Sequence, residues 1–139
     1  MNLAKASAPT TITRANTYLQ IGASEQALDS YRIIGLGYSD ATAVYPETYI
    51  GMQEKSVTSW GYGDLVFGNR ESASDVAPTE HMRIQYNGNV GIGTTNPKSA
   101  LHVVGLPVYA NNAAAVAGGL TAGAFYRTGG DPDPVCVVH

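Results

Sequence analysis

Five aromatic residues fall within 25 positions of one another: Tyr38, Tyr45, Tyr49, Trp60 and Tyr62. Asp40, Glu47 and Asp64 lie among them. Aromatic rings stack on the apolar face of a sugar, and carboxylates accept hydrogen bonds from its hydroxyls. This mixture therefore points to glycan recognition, with Tyr38, Asp40, Tyr45, Trp60 and Tyr62 as the candidate ligand-binding residues. Segments 39–46 and 57–63 fall between strand-like runs, where loops are exposed. The rival reading makes several of these rings core or subunit-interface anchors, a role tyrosine and tryptophan also fill.

Other chemistry is weaker. No G-x-S-x-G elbow or phosphate-binding loop occurs, and Gly91-Ile-Gly93 lacks the third glycine and following helix of a dinucleotide site. Asp131 and Asp133 form a carboxylate pair in a Pro-rich loop. Such a pair could serve glycoside hydrolysis, but Asp-Pro-Asp-Pro reads better as a rigid turn, because Asp starts turns and Pro fixes φ. No catalytic residue, enzymatic activity or cofactor is expected. His81, His102 and His139 lie too far apart in sequence to form a metal site in one chain. Only a threefold assembly would change this, by tripling His102 or His139 on its axis. A packed or solvated histidine is the plainer reading. Cys136, the only cysteine, sits among valines and reads as a buried small hydrophobe.

The elements that would position these residues must come from 139 residues, enough for one domain. Charged residues make up 14%, against roughly a quarter in ordinary globular proteins. The net charge is −3, and the eight basic residues are scattered. Nucleic-acid binding needs clustered cations, so no nucleic-acid partner is expected. No run of about 18 apolar residues occurs, so no membrane insertion is expected either. A chain this poor in charge, with 16 glycines and nine tyrosines, suits burial of much of its surface in an oligomer.

Residues 1–15 are rich in Ala, Thr and Ser and read as a flexible or docking segment. Short apolar runs then recur and end in Gly22, Gly35, Gly51, Gly68 and Gly93, at intervals of 13, 16, 17 and 25 residues. The intervals are too irregular for a strict repeat. They predict a mainly β fold, a short-stranded sandwich or an interwoven β-structure, over residues 16–104. The sharpest local signal is Met82, Ile84 and Tyr86 alternating with polar residues, then Asn87-Gly88, then Val90 and Ile92. This predicts a hairpin whose two central residues both take positive φ. Gly91 and Gly93 would leave one strand face bare, which weakens a strand unless other backbone approaches it. The plainer alternative is that they only shape turns. Residues 105–139 predict a small α+β unit. It comprises a short helix over Ala113–Ala117 capped by Asn111 or Asn112, and a hairpin from Phe125–Thr128 to Val135–Val138.

The run from Met82 to Val103, MRIQYNGNVGIGTTNPKSALHV, resembles a motif common in bacteriophage tail fibres and related virion appendages. Tyr49–Lys55 and Gly63–Arg70 resemble the upstream part of such fibres. Leu106–Leu120, Ala124–Arg127 and Cys136–His139 resemble the end of many phage structural proteins. The resemblance covers about residues 17–139 and implies a homotrimer with β-structure packed along a threefold axis. It further implies a place on the virion after assembly in the host cytoplasm, and a role in host attachment. Gly91, Ile92 and Gly93 would then be axis-packing residues, because glycine lets crowded backbones approach. Many relatives carry a self-cleaving chaperone domain after this region. None follows here, so assembly is expected to be autonomous or helped by another protein. The chain reads as a compact whole protein that docks on other virion proteins through residues 1–15, or as a fragment of a larger fibre. The alternatives are a capsid decoration, collar or adaptor protein without receptor binding, and a stand-alone carbohydrate-binding module.

Overall fold

A computed structural model describes residues 27–37, 42–58 and 61–139. Among them are eight strands and one helix, and the fold is mainly β. The strands are β1 (Tyr31–Leu36), β2 (Thr48–Ser56), β3 (Tyr62–Asn69), β4 (Thr79–Ile84), β5 (Val90–Ile92) and β6 (Leu101–Val103), followed by α1 (Asn112–Ala117), β7 (Phe125–Arg127) and β8 (Val135–Val137). The first six form one sheet in sequence order, and β7 and β8 pair in a second. The described residues thus lay down one open sheet and one hairpin, not two stacked sheets. The run ending at Gly22 lies outside the described residues.

Strands β1 to β5 form an antiparallel meander. The Asn-Gly turn differs from the two-residue form that its sequence predicts. Of the pair, only Gly88 has positive φ, at 90°. Its N–H donates to the Gln85 carbonyl at 2.8 Å, while the Gln85 N–H donates to the Asn89 carbonyl at 2.8 Å. The Asn87 side chain accepts from the Asn89 N–H at 3.1 Å. The loop is therefore the three-residue kind, a turn followed by a left-handed glycine, so only one residue needs glycine's freedom.

β6 pairs with β5 in parallel, after only eight connecting residues, 93–100. Parallel crossovers usually need a dozen or more residues. This one is short because both strands have three residues, so the chain climbs back only about 10 Å. Gly93 starts the return at φ 70°. Gly91 makes room for it: a Cβ there would lie 2.6 Å from the Thr94 carbonyl oxygen and 3.3 Å from Pro97 Cδ. Bonds from Val90 N to Ala100 O at 3.0 Å and from Val104 N to Ile92 O at 2.9 Å lock the register. Both glycines thus serve a turn and a close approach within their own chain, while Ile92 stays exposed on the sheet.

Because side chains alternate along a strand, the registers divide the six-stranded sheet into two faces. One face carries Tyr49, Gln53, Asp64, Val66, Arg83 and Gly91, all buried. The other carries Ile34, Leu36, Ile50, Met52, Leu65, Phe67, Met82, Ile84, Val90, Ile92, Leu101 and Val103, none of them buried. Near the C-terminus, Ala115, Tyr126 and Val138 form a small cluster with Tyr109, Leu120 and Cys136 against it. Asn111 caps α1 by accepting from Ala114 N at 2.9 Å, and Gly118 ends it.

Candidate functional site

A cleft of about 430 Å³ opens on the buried, polar-cored face, lined chiefly by Tyr31, Tyr45, Pro46, Tyr49, Pro78 and Glu80. That volume lies in the range of small-ligand sites. Tyr31 opens β1 and Tyr49 lies in β2, and their rings meet edge to face at 6.5 Å. Tyr45 and Pro46 come from the segment between these strands. Asp75 clamps that segment: its carboxylate accepts from Val44 N at 2.8 Å and Tyr45 N at 3.1 Å. Arg70 in turn braces Asp75 at 3.2 Å and Glu47 at 3.6 Å. Tyr45 is thus held by a hydrogen-bonded strap.

A charged network lies behind the cleft. The Arg83 guanidinium donates to both Glu80 oxygens at 2.7 Å, to Asp64, and to Gln53 at 3.0 Å. Asp64 also accepts from Tyr86 N at 2.9 Å. Arg83 is 4% exposed and Asp64 1%, so their charges survive burial only by satisfying each other. The hydrogen bond to Glu80 holds the guanidinium more firmly charged than usual, against the opposing effect of burial. Burial first, and the Glu80 charge second, push the Tyr49 phenol above its ordinary pKa. Gln53 donates to the Tyr31 hydroxyl oxygen at 2.9 Å. That orients Tyr31 and leaves its own O–H as a donor.

The cleft therefore offers three phenol rings, an oriented hydroxyl and one carboxylate. Among the described residues, its lining contains no lysine, arginine or histidine. Such a surface suits an uncharged, hydroxyl-bearing ring and disfavours an anion. Among the described residues, Glu80 is the only acid in the lining.

Of the five residues expected from sequence, Tyr45 and Tyr62 are described, and they are not brought together. Tyr45 is in the cleft, but Tyr62 stacks on Tyr86 at 4.3 Å and 37°. Tyr62 sits opposite Ser56, while Tyr49 pairs with Gly68. That register puts Tyr62 and Tyr49 about 20 Å apart along the ladder. Tyr38, Asp40 and Trp60 lie outside the described residues. Asp64 faces Arg83 rather than solvent. Tyr31 and Glu80 were missed by the sequence reading. Tyr31 precedes the Arg-Ile-Ile-Gly run, and its alternation with Ile33 was the available signal. Glu80 gave no signal, because its role depends on Arg83.

No known family model matches this chain, and no curated protein does. The remaining candidates have local duties. His102 Nδ1 accepts from Lys98 N at 3.4 Å, bracing the β5–β6 crossover. His139 is tied to Asn112 by two hydrogen bonds of 2.9 and 3.2 Å. Asp133 accepts from Arg127 and from Gly129 N, both at 2.6 Å. These contacts, the Gly129 bond foremost, lower its pKa. Asp133 thus braces the β7–β8 hairpin. Cys136 is half-buried with a free thiol.

Proposed function

We propose that this chain is a bacteriophage tail-fibre or fibre-tip protein that works as a homotrimer and binds a neutral glycan on the bacterial surface. The observation that carries attachment is the cleft of Tyr31, Tyr45 and Tyr49 beside Glu80, with its apolar walls and oriented hydroxyl. The 82–103 run supports the fibre reading. It folds as one unit, β4 through the Gly88 turn to β5 and over the short crossover to β6. Three weak sites per trimer and several trimers per particle would give firm attachment through effective concentration. Residues 1–15 would dock on other virion proteins.

The test is binding of the fluorescently labelled full chain to intact bacteria, with and without soluble neutral oligosaccharides from their surface. Binding should be competed by those sugars and fall at least tenfold in Tyr45→Ala. Undiminished binding in both Tyr45→Ala and Tyr31→Ala would remove the cleft from attachment. No binding to any bacterial surface would favour the purely structural alternative, a decoration, collar or adaptor protein.

A further inference from the structure

We propose that the open apolar face of the six-stranded sheet is buried against identical faces of other copies of this chain. The inference rests on the trimer reading for the number of copies only. Leu36 and Leu101 are 58% and 60% exposed, and Ile34, Ile50, Leu65 and Ile92 between 37% and 42%. They lie on one continuous face with Met52, Phe67, Met82, Ile84 and Val90. At the usual strand spacing and rise, the face spans roughly 450 Å² in projection. That is the scale at which an apolar patch marks an interaction site. Its accessible area exceeds its projection and approaches the roughly 800 Å² that each partner buries in a stable complex.

Two observations name the occupant. The first is the missing core. Among the described residues of the large sheet, only Tyr49 and Val66 are buried hydrophobics. A sheet with so little core needs more apolar burial to be stable. The second is charge. In a symmetric assembly like residues of different copies come close, so a net charge on the face would repel itself. Among the described residues, the charged pair within this face is Arg32 and Glu54 at 2.9 Å, which is neutral overall, while His81, beside Leu36 and Phe67 at one end, is set against Glu71 at 3.5 Å. Glu54 Oε1 is buried there without a hydrogen-bond partner among the described residues, a vacancy that a donor from a neighbouring copy would fill. Neutral sheet faces also stack on one another at about 10 Å.

The test combines light scattering of the full chain with peroxide oxidation of Met52 and Met82, followed by peptide mass spectrometry. Expected are a mass of three chains, unchanged on dilution, and oxidation of both methionines at least tenfold slower than free methionine. Leu65→Lys should give single chains that oxidise fast, whereas Tyr45→Ala, on the other face, keeps the assembled mass. Should Leu65→Lys not fold, Ile84→Ala should raise the dissociation midpoint at least tenfold in protein concentration. A two-chain mass abolished by Leu65→Lys keeps the interface and overturns the threefold count alone. Assembly that survives Leu65→Lys, with both methionines oxidising fast, overturns the inference and leaves the trimer standing. So does an unmoved midpoint in Ile84→Ala. A single-chain wild type overturns the inference: protected methionines would mean that residues 1–26 cover the face, and reactive ones that it stays open.

Discussion

Arg83 and Leu65 belong to adjacent strands of one sheet and face opposite ways, the first 4% and the second 40% exposed. A half-solvated antiparallel sheet ordinarily buries its apolar side and wets its polar one. Within this chain the order is reversed. The polar side is closed at its centre by its own ion pairs and flanked by the strap carrying Tyr45, with Tyr31 and Ile33 left exposed at the cleft, while the apolar side has no cover among the described residues. The difference teaches that one sheet can settle its two faces in different ways. One is largely finished within the chain and holds a cleft. The other, on the interface proposed above, is finished only when a second copy is laid against it.

The largest effect should come from breaking the closed face. Arg83→Met strips Asp64 and Glu80 of their common donor and leaves buried carboxylates uncompensated. A loss of about 3–5 kcal/mol is expected, enough to unfold a small domain. Circular dichroism melts would show it at every protein concentration. An unchanged melt would mean that the network is wet and the closed face is not closed.

The open face should answer differently. If Ile84 is packed in an assembly, Ile84→Ala costs about 2–4 kcal/mol per chain. That cost depends on protein concentration, because association is linked to folding. Melting of the wild type should likewise rise with concentration. A concentration-independent melt in both proteins would erase the contrast between the faces.

Gly91→Ala probes the point where the crossover lies against the sheet. The added Cβ would meet the Thr94 carbonyl at 2.6 Å, a backbone contact that can yield only by moving the loop. A loss of about 1–3 kcal/mol is expected from such overpacking. The same change at Gly88 meets no atom within 4 Å but is strained by its φ of 90°, costing about 1 kcal/mol. Equal melts for the wild type and Gly91→Ala would show that the crossover is looser than described.

The smallest effect lies away from both faces. The Asp133 carboxyl has a lowered pKa from its bonds to Gly129 and Arg127. A carboxylate with a folded pKa below its unfolded value stabilises above the ordinary carboxylate range. That contribution is lost as the pH falls through the lowered value. The β7–β8 hairpin should therefore loosen below about pH 4, read by amide exchange at Tyr126 and Cys136. In Asp133→Asn that acid step should vanish. A step of equal size in the variant would assign it to other carboxylates.

Much of the fold was legible in the residues. Alternation of Met82 and Ile84 with Arg83, the place though not the type of the Asn87-Gly88 turn, the Asn111 cap and the Phe125–Val137 hairpin rest on local physics, where spacing and turn chemistry act over a few residues. The site was legible only in part. Tyr45 was found because it is an aromatic in a loop. Tyr31 and Glu80 were not, because their meeting depends on β1, β2 and β4 lying in register. Asp64 looked like a sugar acceptor until its partner Arg83, 19 residues away, was placed beside it.

By itself, then, the sequence determined that side chains alternate between two faces with a period of two, and in Met82–Ile84 that one of these is apolar and the other polar. Which side would be closed was decided only in three dimensions. Arg83 can be buried because Glu80, Asp64 and Gln53 converge on it from three strands, and no local pattern encodes that convergence. The apolar side stays open for the complementary reason: the described residues of this chain supply nothing that packs against it.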